Sequence, residues 1–363
     1  MLYKVKVIPK KTKGHSMQHN TAIIGVGMAG VVCARTLRQA GHNVTLFEKS
    51  RGIGGRMATR LSEFGSFDHG TQYFTVRDPR FDLALSTVPG LCKPWSANAV
   101  RVLDPNGRVI EAGLSGGERH WVATPGMNGL VKAWAEPLLE DGNVQLQTCV
   151  TQISVDPFKK NSWQLHTEGE DGSQHVFGGF DRVVLAIPPA QAVKLLQSSG
   201  LSDLAQPLKD VRVEPCWTLM VAYPQAVQPG LITLGPQWNA ARSTHHRIAW
   251  MARESSKPGR ERIERWTVQA SAPWSAEHVD DTPERITGKL LKAFAEITGI
   301  RATPAHAEAH RWLYAKTSQP LGQSHLWFKD HSIGLCGDWC TGHRVEDAFV
   351  SGLELALSVL KKR

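Results

Sequence analysis

The stretch TAIIGVGMAGVVCARTLRQAGHNVTLFEK, residues 21–49, decides how this chain folds. TAIIGV is a short apolar run ending in glycines, and AGVVCARTLRQAG carries its apolar residues at helical spacing until Gly41 offers a C-cap. NVTLFEK then resumes an apolar strand. Strand, tight turn, helix and strand in this order predict a βαβ unit on a buried parallel sheet. Gly25, Gly27 and Gly30 complete G-x-G-x-x-G in that setting. The first permits the turn, the second brings backbone up to a pyrophosphate, and the third lets helix and strand pack closely. The helix start adds unpaired N–H groups and partial positive charge. Glu48 ends the second strand, where a carboxylate suits the hydroxyls of an adenosine ribose and repels a 2′-phosphate. The turn therefore predicts an ADP moiety, which NAD and FAD share.

The residues that separate those two cofactors lie outside the turn. Lys49 opens KSRGIGGRM, in which Gly54 and Gly55 permit a second close passage of backbone and Arg56 offers a forked donor. A simple NAD dehydrogenase has no evident need for this feature, whereas a longer cofactor stretched across the lobe does. FDHGTQYFT, residues 67–75, places Gln72 and Tyr73 on a turn where an amide and a ring edge could meet a flavin. Asp68 and His69 read as a capped turn, since neither has a visible catalytic partner. GLCGDW puts Asp338 just past an apolar strand, suited to ribityl hydroxyls. A final helix starts near Asp347, and its N-terminus can stabilise negative charge on a reduced ring. The Asp347 carboxylate, turned inward, would oppose that effect.

Between these ends, TPGMNGLVKAWAEPLL reads as a helix with Thr124 near its start and Pro137 in its last part, and NVQLQTCVTQISVD as a strand. SWQLHT, QHVFG and DRVVLAIP continue a β meander whose last member belongs beside the first sheet. From about residue 191 an amphipathic helix gives way to CWTLMVAY, HHRIAWMARE, ERWTVQAS and HRWLYA, strands rich in Trp or Tyr, interrupted by the helix TPERITGKLLKAFAEITG. The fold expected is α/β: a Rossmann-like FAD-binding lobe with a parallel sheet and a β meander, and an interleaved α+β substrate lobe with an antiparallel sheet. The expected boundaries are a disordered leader at 1–19, an FAD-binding domain at 20–80, 124–190 and 325–363, and a substrate domain at 81–123 and 191–324.

Composition agrees with a globular chain: 363 residues, 41% hydrophobic and 21% charged. The net charge of +9 is concentrated at the ends, for Lys4, Lys6, Lys10, Lys11 and Lys13 precede any acid, and Lys361, Lys362 and Arg363 close the chain. With no basic groove interleaved with aromatics, this distribution argues against nucleic acid, and the absence of a long apolar run argues against a membrane span. The leader has no apolar core of a secretory signal and reads as a tail or as sequence ahead of a start at Met17. Six scattered cysteines, with only Cys336 and Cys340 close together, suit reduced thiols in a cytoplasm. His306 and His310, four apart on an inferred strand, do not have the spacing of a helical zinc pair, so no metal is expected.

GVGMAG, FEKSRGIGGRM, DHGTQYFT, PGMNGL, VVLAIPPAQA, HRWLYA and CGDWCTGHRVEDAFVSGLELA follow one another over residues 20–360. In this combination the chain resembles the glutathione-reductase-like FAD oxidoreductases of the amine oxidase superfamily, and within them the renalase-like branch, especially its bacterial members. The resemblance implies a noncovalent FAD on a Rossmann-like lobe, beside a second lobe for substrate. It implies that Ala29, Glu48, Arg56, Gln72, Tyr73, Val150, Asp338, Val345, Glu346 and Ala348 touch FAD. It also implies oxidation of dihydronicotinamide isomers to NAD(P)+, with dioxygen reoxidising the flavin to give hydrogen peroxide. Asp347 stands where glycine is common in that family, and Thr71 where alanine is.

Hydride transfer from a dihydronicotinamide asks little acid or base of the protein, because the product is a stable pyridinium, and positioning is most of the work. Trp250, Trp312 and Tyr314 are candidates for a flat aromatic pocket, with core packing as their other reading. His245 and His246, adjacent on a strand, would point oppositely, leaving one to face the pocket. Arg242, Arg247 and Arg253 could steer an anionic nucleotide or stand as solvated edge charges. Three function classes stay open: an oxidase of reduced pyridine nucleotides, a flavin amine oxidase, and a flavin-binding protein without turnover.

Overall fold

The computed structural model describes residues 5–6, 18–95, 100–112, 118–227 and 235–361. They form two compact units, the first Met1–Gly55, Val131–Arg212 and Thr317–Arg363, the second Arg56–Leu130 and Val213–Lys316.

The first unit is built on the predicted βαβ element. Asn20–Ile24 and Asn43–Phe47 pair in parallel, and the helix Met28–Gln39 joins them. Arg182–Leu185 adds to the other side of Asn20–Ile24, Ile333–Leu335 follows in parallel, and Leu326–Phe328 closes that edge antiparallel. Buried on both faces, these strands are near-continuous apolar runs: Ala22, Ile23, Leu46, Val183, Val184 and Leu185 are fully enclosed. The stretch expected as one strand after residue 143 divides. Val144–Gln145 joins the parallel sheet beside Asn43–Phe47, whereas Thr148–Val155 starts the antiparallel meander with Trp163–Gly169 and Gln174–Phe180. Gln147, at φ 52°, makes the break. Phe47 sets its ring edge against Phe177 and Phe180, tying meander to sheet through apolar contact.

The last helix, Val345–Leu360, packs on Met28–Gln39. A Cβ at Gly352 would collide with the Ala29 carbonyl oxygen, so this glycine sets the close approach of the two helices. Of the expected leader, Val5–Lys6 pair in parallel with Gln174–Phe180, while residues 1–4 and 7–17 lie outside the described residues.

The second unit centres on a sheet ordered His306–Gln319, Arg212–Tyr223, Glu264–Ala270, Ile248–Arg253, Ala240–Ser243, Val100–Leu103, Val109–Ala112. The antiparallel sheet expected from the sequence thus acquires one parallel pairing, between Ala240–Ser243 and Val100–Leu103. One face carries Trp217, Leu219, Val221, Trp266 and Val268 against Ile286, Leu290, Phe294 and Ile297 of the helix Pro283–Thr298. Thr282 caps that helix by accepting from Arg285 N–H, and Gly299, at φ 76°, closes it in the left-handed region. Alternation sends the intervening residues to the opposite face. There Met220 and Ala222 pack on Phe67.

All four boundaries between the expected domains fall elsewhere, two of them by more than twenty residues. Residues 56–80 belong with the second unit, because Phe67 lies under Met220 and Ala222 and stacks on His306. Residues 191–212 belong with the first, because Ser199 Oγ accepts from Ile153 N–H at the end of the helix Pro189–Ser198. Thr124 does not start the helix Asn128–Glu140. Its hydroxyl donates to the Leu91 carbonyl instead, in a segment containing a cis Thr124–Pro125 bond.

Candidate functional site

In the first unit the glycine turn fits a pyrophosphate on its own geometry. Gly25, at φ 101°, donates its N–H to the Phe47 carbonyl at 2.8 Å, and a Cβ there would collide with the Ala186 carbonyl. A Cβ at Gly30 would collide with the Gly25 carbonyl. Gly27 is different. It is the N-cap of Met28–Gln39 with no side-chain cap and no acid in the first turn, and a Cβ there would meet only Gly55 Cα, at 3.9 Å. The helix start is therefore bare backbone bearing positive partial charge, as an anion requires.

The second glycine pair closes on the first. Gly54 N–H donates to the Val26 carbonyl at 3.1 Å, and a Cβ at Gly55 would stand 3.3 Å from Gly27 Cα. Glu48 is buried and fixed: one oxygen accepts from Val26 N–H at 2.9 Å, the other from Ser50 N–H at 3.0 Å and from the Ser50 hydroxyl. Two oxygens offer about four acceptor sites, so the bonds that hold the carboxylate leave room for a ribose hydroxyl. Thr148 N–H donates to the Glu48 carbonyl at 2.8 Å, which sets the strand carrying half-buried Val150 beside this end of the cradle. Lys49 is exposed next to it.

Asp338 is buried just after Ile333–Leu335. Gly337 N–H donates to Ser351 Oγ, and the Trp339 indole to the Ile187 carbonyl at 3.1 Å, so the segment is held on both sides. Val345 and Glu346, both buried, and half-buried Ala348 form the first turn of the last helix. Asp347 Oδ2 accepts from His343 N–H at 2.9 Å and Arg344 N–H at 2.8 Å. Its carboxylate therefore folds back as a cap on the chain entering the helix.

In the second unit the turn at residues 67–75 is an anchor. Asp68 is completely enclosed. Its Oδ1 accepts from Thr59 Oγ1 at 2.8 Å and Met127 N–H at 2.9 Å, and its Oδ2 from Lys257 Nζ at 3.2 Å and Arg260 Nη2 at 2.6 Å. Burial alone would raise this carboxyl, but Lys257, Arg260 and the Met127 N–H together hold it below the ordinary range. Lys257 also donates to Glu254 at 2.9 Å and to Gln72 Oε1 at 3.3 Å. Burial pushes the Glu254 carboxyl up. Gln72 thus has its amide committed inside the unit, with Nε2 donating to the Asp68 and Gly70 carbonyls. The capped-turn reading of Asp68 does not foresee its ion pairs with Lys257 and Arg260, which lie far along the chain. Their segment, ESSKPGR, shows charges three apart but no apolar neighbours to announce burial.

His69 stacks on Trp312 at 5.1 Å and meets His310 edge-on at 4.9 Å, and the Trp312 indole donates to the His69 carbonyl at 3.0 Å. Burial, with the charges of His310 and Arg60, pushes His69 down to about 3. Burial and Arg60 push His310 down to about 4. Arg56 holds this turn through its carbonyl, which accepts from Thr71 N–H, and its Nη1 donates to the Ala315 carbonyl at 3.4 Å, next to half-buried Tyr314.

Tyr73 gathers a separate ring set: His120 at 4.1 Å, Trp250 at 5.7 Å and Trp95 at 6.4 Å. Trp250 and Trp312, expected together, belong to different ring sets around Tyr73 and His69. His245 joins neither. It sits 3.6 Å from Glu296 of the helix Pro283–Thr298 and stacks on His246 at 4.5 Å. The two histidines fall in the turn after Ala240–Ser243, so strand alternation does not separate them. Of the three arginines, Arg253 is buried against Glu264 at 2.9 Å and Arg247 bonds His246. Arg242 stays exposed, directly opposite Trp250. Among the described residues no cluster of His, Cys, Asp and Glu could hold a metal ion, and no helix is long and apolar enough to cross a membrane.

Comparison with known proteins agrees with the cradle. Residues 23–84 match the NAD(P)-binding Rossmann-like domain, and residues 111–360 match the flavin containing amine oxidoreductases. The chain is similar over 37 residues, at 54% identity, to flavin-containing monooxygenase FMO GS-OX-like 5 of Arabidopsis thaliana, a match covering 10% of this chain and 8% of that protein. Over 57 residues it is 39% identical to 4,4'-diapophytoene desaturase of Staphylococcus haemolyticus, covering 16% and 11%. The chain thus spans about a tenth of the length of these curated relatives. In fold it is similar to a double mutant of putrescine oxidase, with TM-score 0.70 at 13% identity over 95% of this chain and 99% of that one. Cyclohexylamine oxidase of Brevibacterium oxydans gives 0.68 at 14% identity over 94% and 98%.

Proposed function

This chain belongs to the flavin-containing amine oxidoreductase family and takes FAD as its cofactor, and from that premise we propose that it oxidises a reduced pyridine nucleotide, returning a dihydronicotinamide to its pyridinium with dioxygen as final acceptor. Bound FAD would supply a two-electron acceptor that dioxygen restores, releasing hydrogen peroxide. In the first unit, Gly25, Gly27, Ala29, Gly30, Gly55, Glu48, Lys49, Val150 and Asp338 and the helix start at Val345, Glu346 and Ala348 are the residues proposed to hold it. The resemblance also names Arg56, Gln72 and Tyr73, which belong to the second unit, where the Gln72 amide is bonded to Lys257, Asp68 and Gly70.

The observation that carries this reading is the chemistry of the second unit's interior. Its enclosed carboxylates are tied to cations: Asp68 to Lys257 and Arg260, Glu254 to Lys257, Glu264 to Arg253. The histidines beside the ring sets, His69, His310 and His120, are all held below the ordinary range, chiefly by burial. Among the described residues, the ring sets are thus flanked by neutral imidazoles that are weak bases and by carboxylates already paired with cations. A donor whose product is a stable cation needs nothing more, whereas a protonated amine needs a group to take its proton before it can react. The flavin amine oxidase stands as the second reading, favoured by the family itself.

Product analysis in air separates the two. The account expects equal amounts of oxidised pyridine nucleotide and hydrogen peroxide from a dihydronicotinamide isomer, and no aldehyde from a panel of primary and secondary amines. Aldehyde formation at a comparable rate would favour the second reading.

A further inference from the structure

One cross-strand row on the second unit's sheet has a composition that the proposed oxidation does not itself require. Thr218 stands opposite Gln269, Gln269 opposite Trp250, and Trp250 opposite Arg242, so these side chains share the face turned away from the helix Pro283–Thr298. Gln269 is tied to the Gly70 carbonyl at 2.7 Å. Trp250 is nine-tenths buried beside Tyr73, yet its indole N–H has no hydrogen-bond partner. A buried donor left unmet is destabilising, and an acceptor on a ligand would relieve that cost. Arg242, one strand over, is exposed, and no described side chain or backbone oxygen takes a hydrogen bond from its guanidinium. Its charge reaches the set all the same, for it is the second cause, after burial, that lowers His120, the ring nearest Tyr73. The carboxylate in the same row, Glu111, stands beyond Val102, two strands from Arg242.

We infer that this row is a subsite for a planar heteroaromatic ligand carrying a phosphate on its sugar. The ring lies with Tyr73 and Trp250, a carbonyl on it accepts from the Trp250 indole, and the phosphate is taken by the Arg242 guanidinium, whose forked donors match phosphate oxygens. Directly opposed residues on antiparallel strands are about 5 Å apart, a separation that one ribose bridges between base and phosphate. Arg242 is then a specificity residue that selects a nucleotide over the corresponding nucleoside and over a cationic amine. This rests on the oxidase reading for the identity of the ring, but the subsite itself does not depend on turnover.

Binding of nicotinamide mononucleotide and nicotinamide riboside to the FAD-loaded protein, measured by calorimetry, tests it. The two ligands share ring, carboxamide and sugar and differ in the phosphate. The wild type should bind the mononucleotide about tenfold tighter or better, Arg242→Ala should abolish that ratio while leaving riboside binding unchanged, and Arg242→Lys should restore part of it. Trp250→Phe, which keeps a ring and removes the N–H, should weaken both ligands alike. Equal affinities in the wild type, or a ratio that survives Arg242→Ala, overturns the phosphate contact, and unchanged binding in Trp250→Phe overturns the placement of the ring. A preference that depends on Arg242 in a protein whose flavin no dihydronicotinamide reduces would keep the subsite and remove the oxidase reading. Reduction without the preference would do the reverse.

Discussion

Lys257 Nζ lies 3.2 Å from Asp68 Oδ2 with both side chains fully enclosed, although the two residues are separated by most of the second unit's sequence. Around this contact Thr59, Met127, Gln72, Glu254 and Arg260 are all tied in. The cluster fixes the turn at residues 67–75 to two distant loops.

Breaking such a buried pair by removing one member costs about 3–5 kcal/mol, because the other charge is left uncompensated. Asp68→Asn should therefore lower stability by roughly that amount, and the double variant Asp68→Asn, Lys257→Met should recover part of it. Urea denaturation of the wild type, the two single variants Asp68→Asn and Lys257→Met and the double variant measures the coupling. Strictly additive losses would mean that the two side chains do not interact.

Stability should also fall with acid through His69. Histidines in an unfolded chain titrate near 6.5, whereas burial holds His69 down to about 3 and His310 to about 4. Below about pH 6.5 the unfolded chain takes up protons that the native one refuses, so stability is full above that value and declines as pH falls towards 4. At about pH 5 the His69 contribution alone is about 2 kcal/mol. Denaturation midpoints at neutral pH and near pH 5 should diverge in the wild type and converge in His69→Phe, which keeps a ring to stack on Trp312.

The two glycines of the turn should respond differently to the same methyl group. A Cβ at Gly27 meets only Gly55 Cα at 3.9 Å, at a φ of −88° that any residue adopts, whereas one at Gly30 collides with the Gly25 carbonyl. Gly27→Ala should purify folded with little flavin, since the methyl stands where a pyrophosphate must approach. Gly30→Ala should lose the fold of the first unit itself. Flavin-to-protein ratio together with circular dichroism distinguishes these outcomes, and a yellow Gly27→Ala protein would contradict the placement of the phosphates.

The first unit was largely readable because its signals are local. Gly25, Gly27, Gly30 and Glu48 occupy a fixed order along a strand, a turn and a helix, and each constrains its own neighbourhood. The second unit was readable as strands and a capped helix but not as a site. Lys257 in a polar loop and Asp68 in a turn carry no mark of burial, and their meeting depends on how the sheet places two loops. The opposite orientation expected of His245 and His246 fails for a related reason, since adjacent histidines separate only if a strand contains them, and the strand ends at Ser243. Gly352 does carry a signal in the sequence: a glycine inside an apolar helical run costs about 1 kcal/mol relative to alanine, and close helix packing is what compensates for it.

The central claim is that this protein's flavin accepts hydride from a reduced pyridine ring. Mixing the FAD-loaded protein with a panel of dihydronicotinamide isomers in the absence of oxygen, while the visible flavin band is followed in a stopped-flow instrument, tests it without relying on any downstream product. The account predicts that at least one isomer bleaches the band in a single turnover and that admitting air restores it. A band that every isomer leaves intact, while an amine bleaches it, would contradict the account.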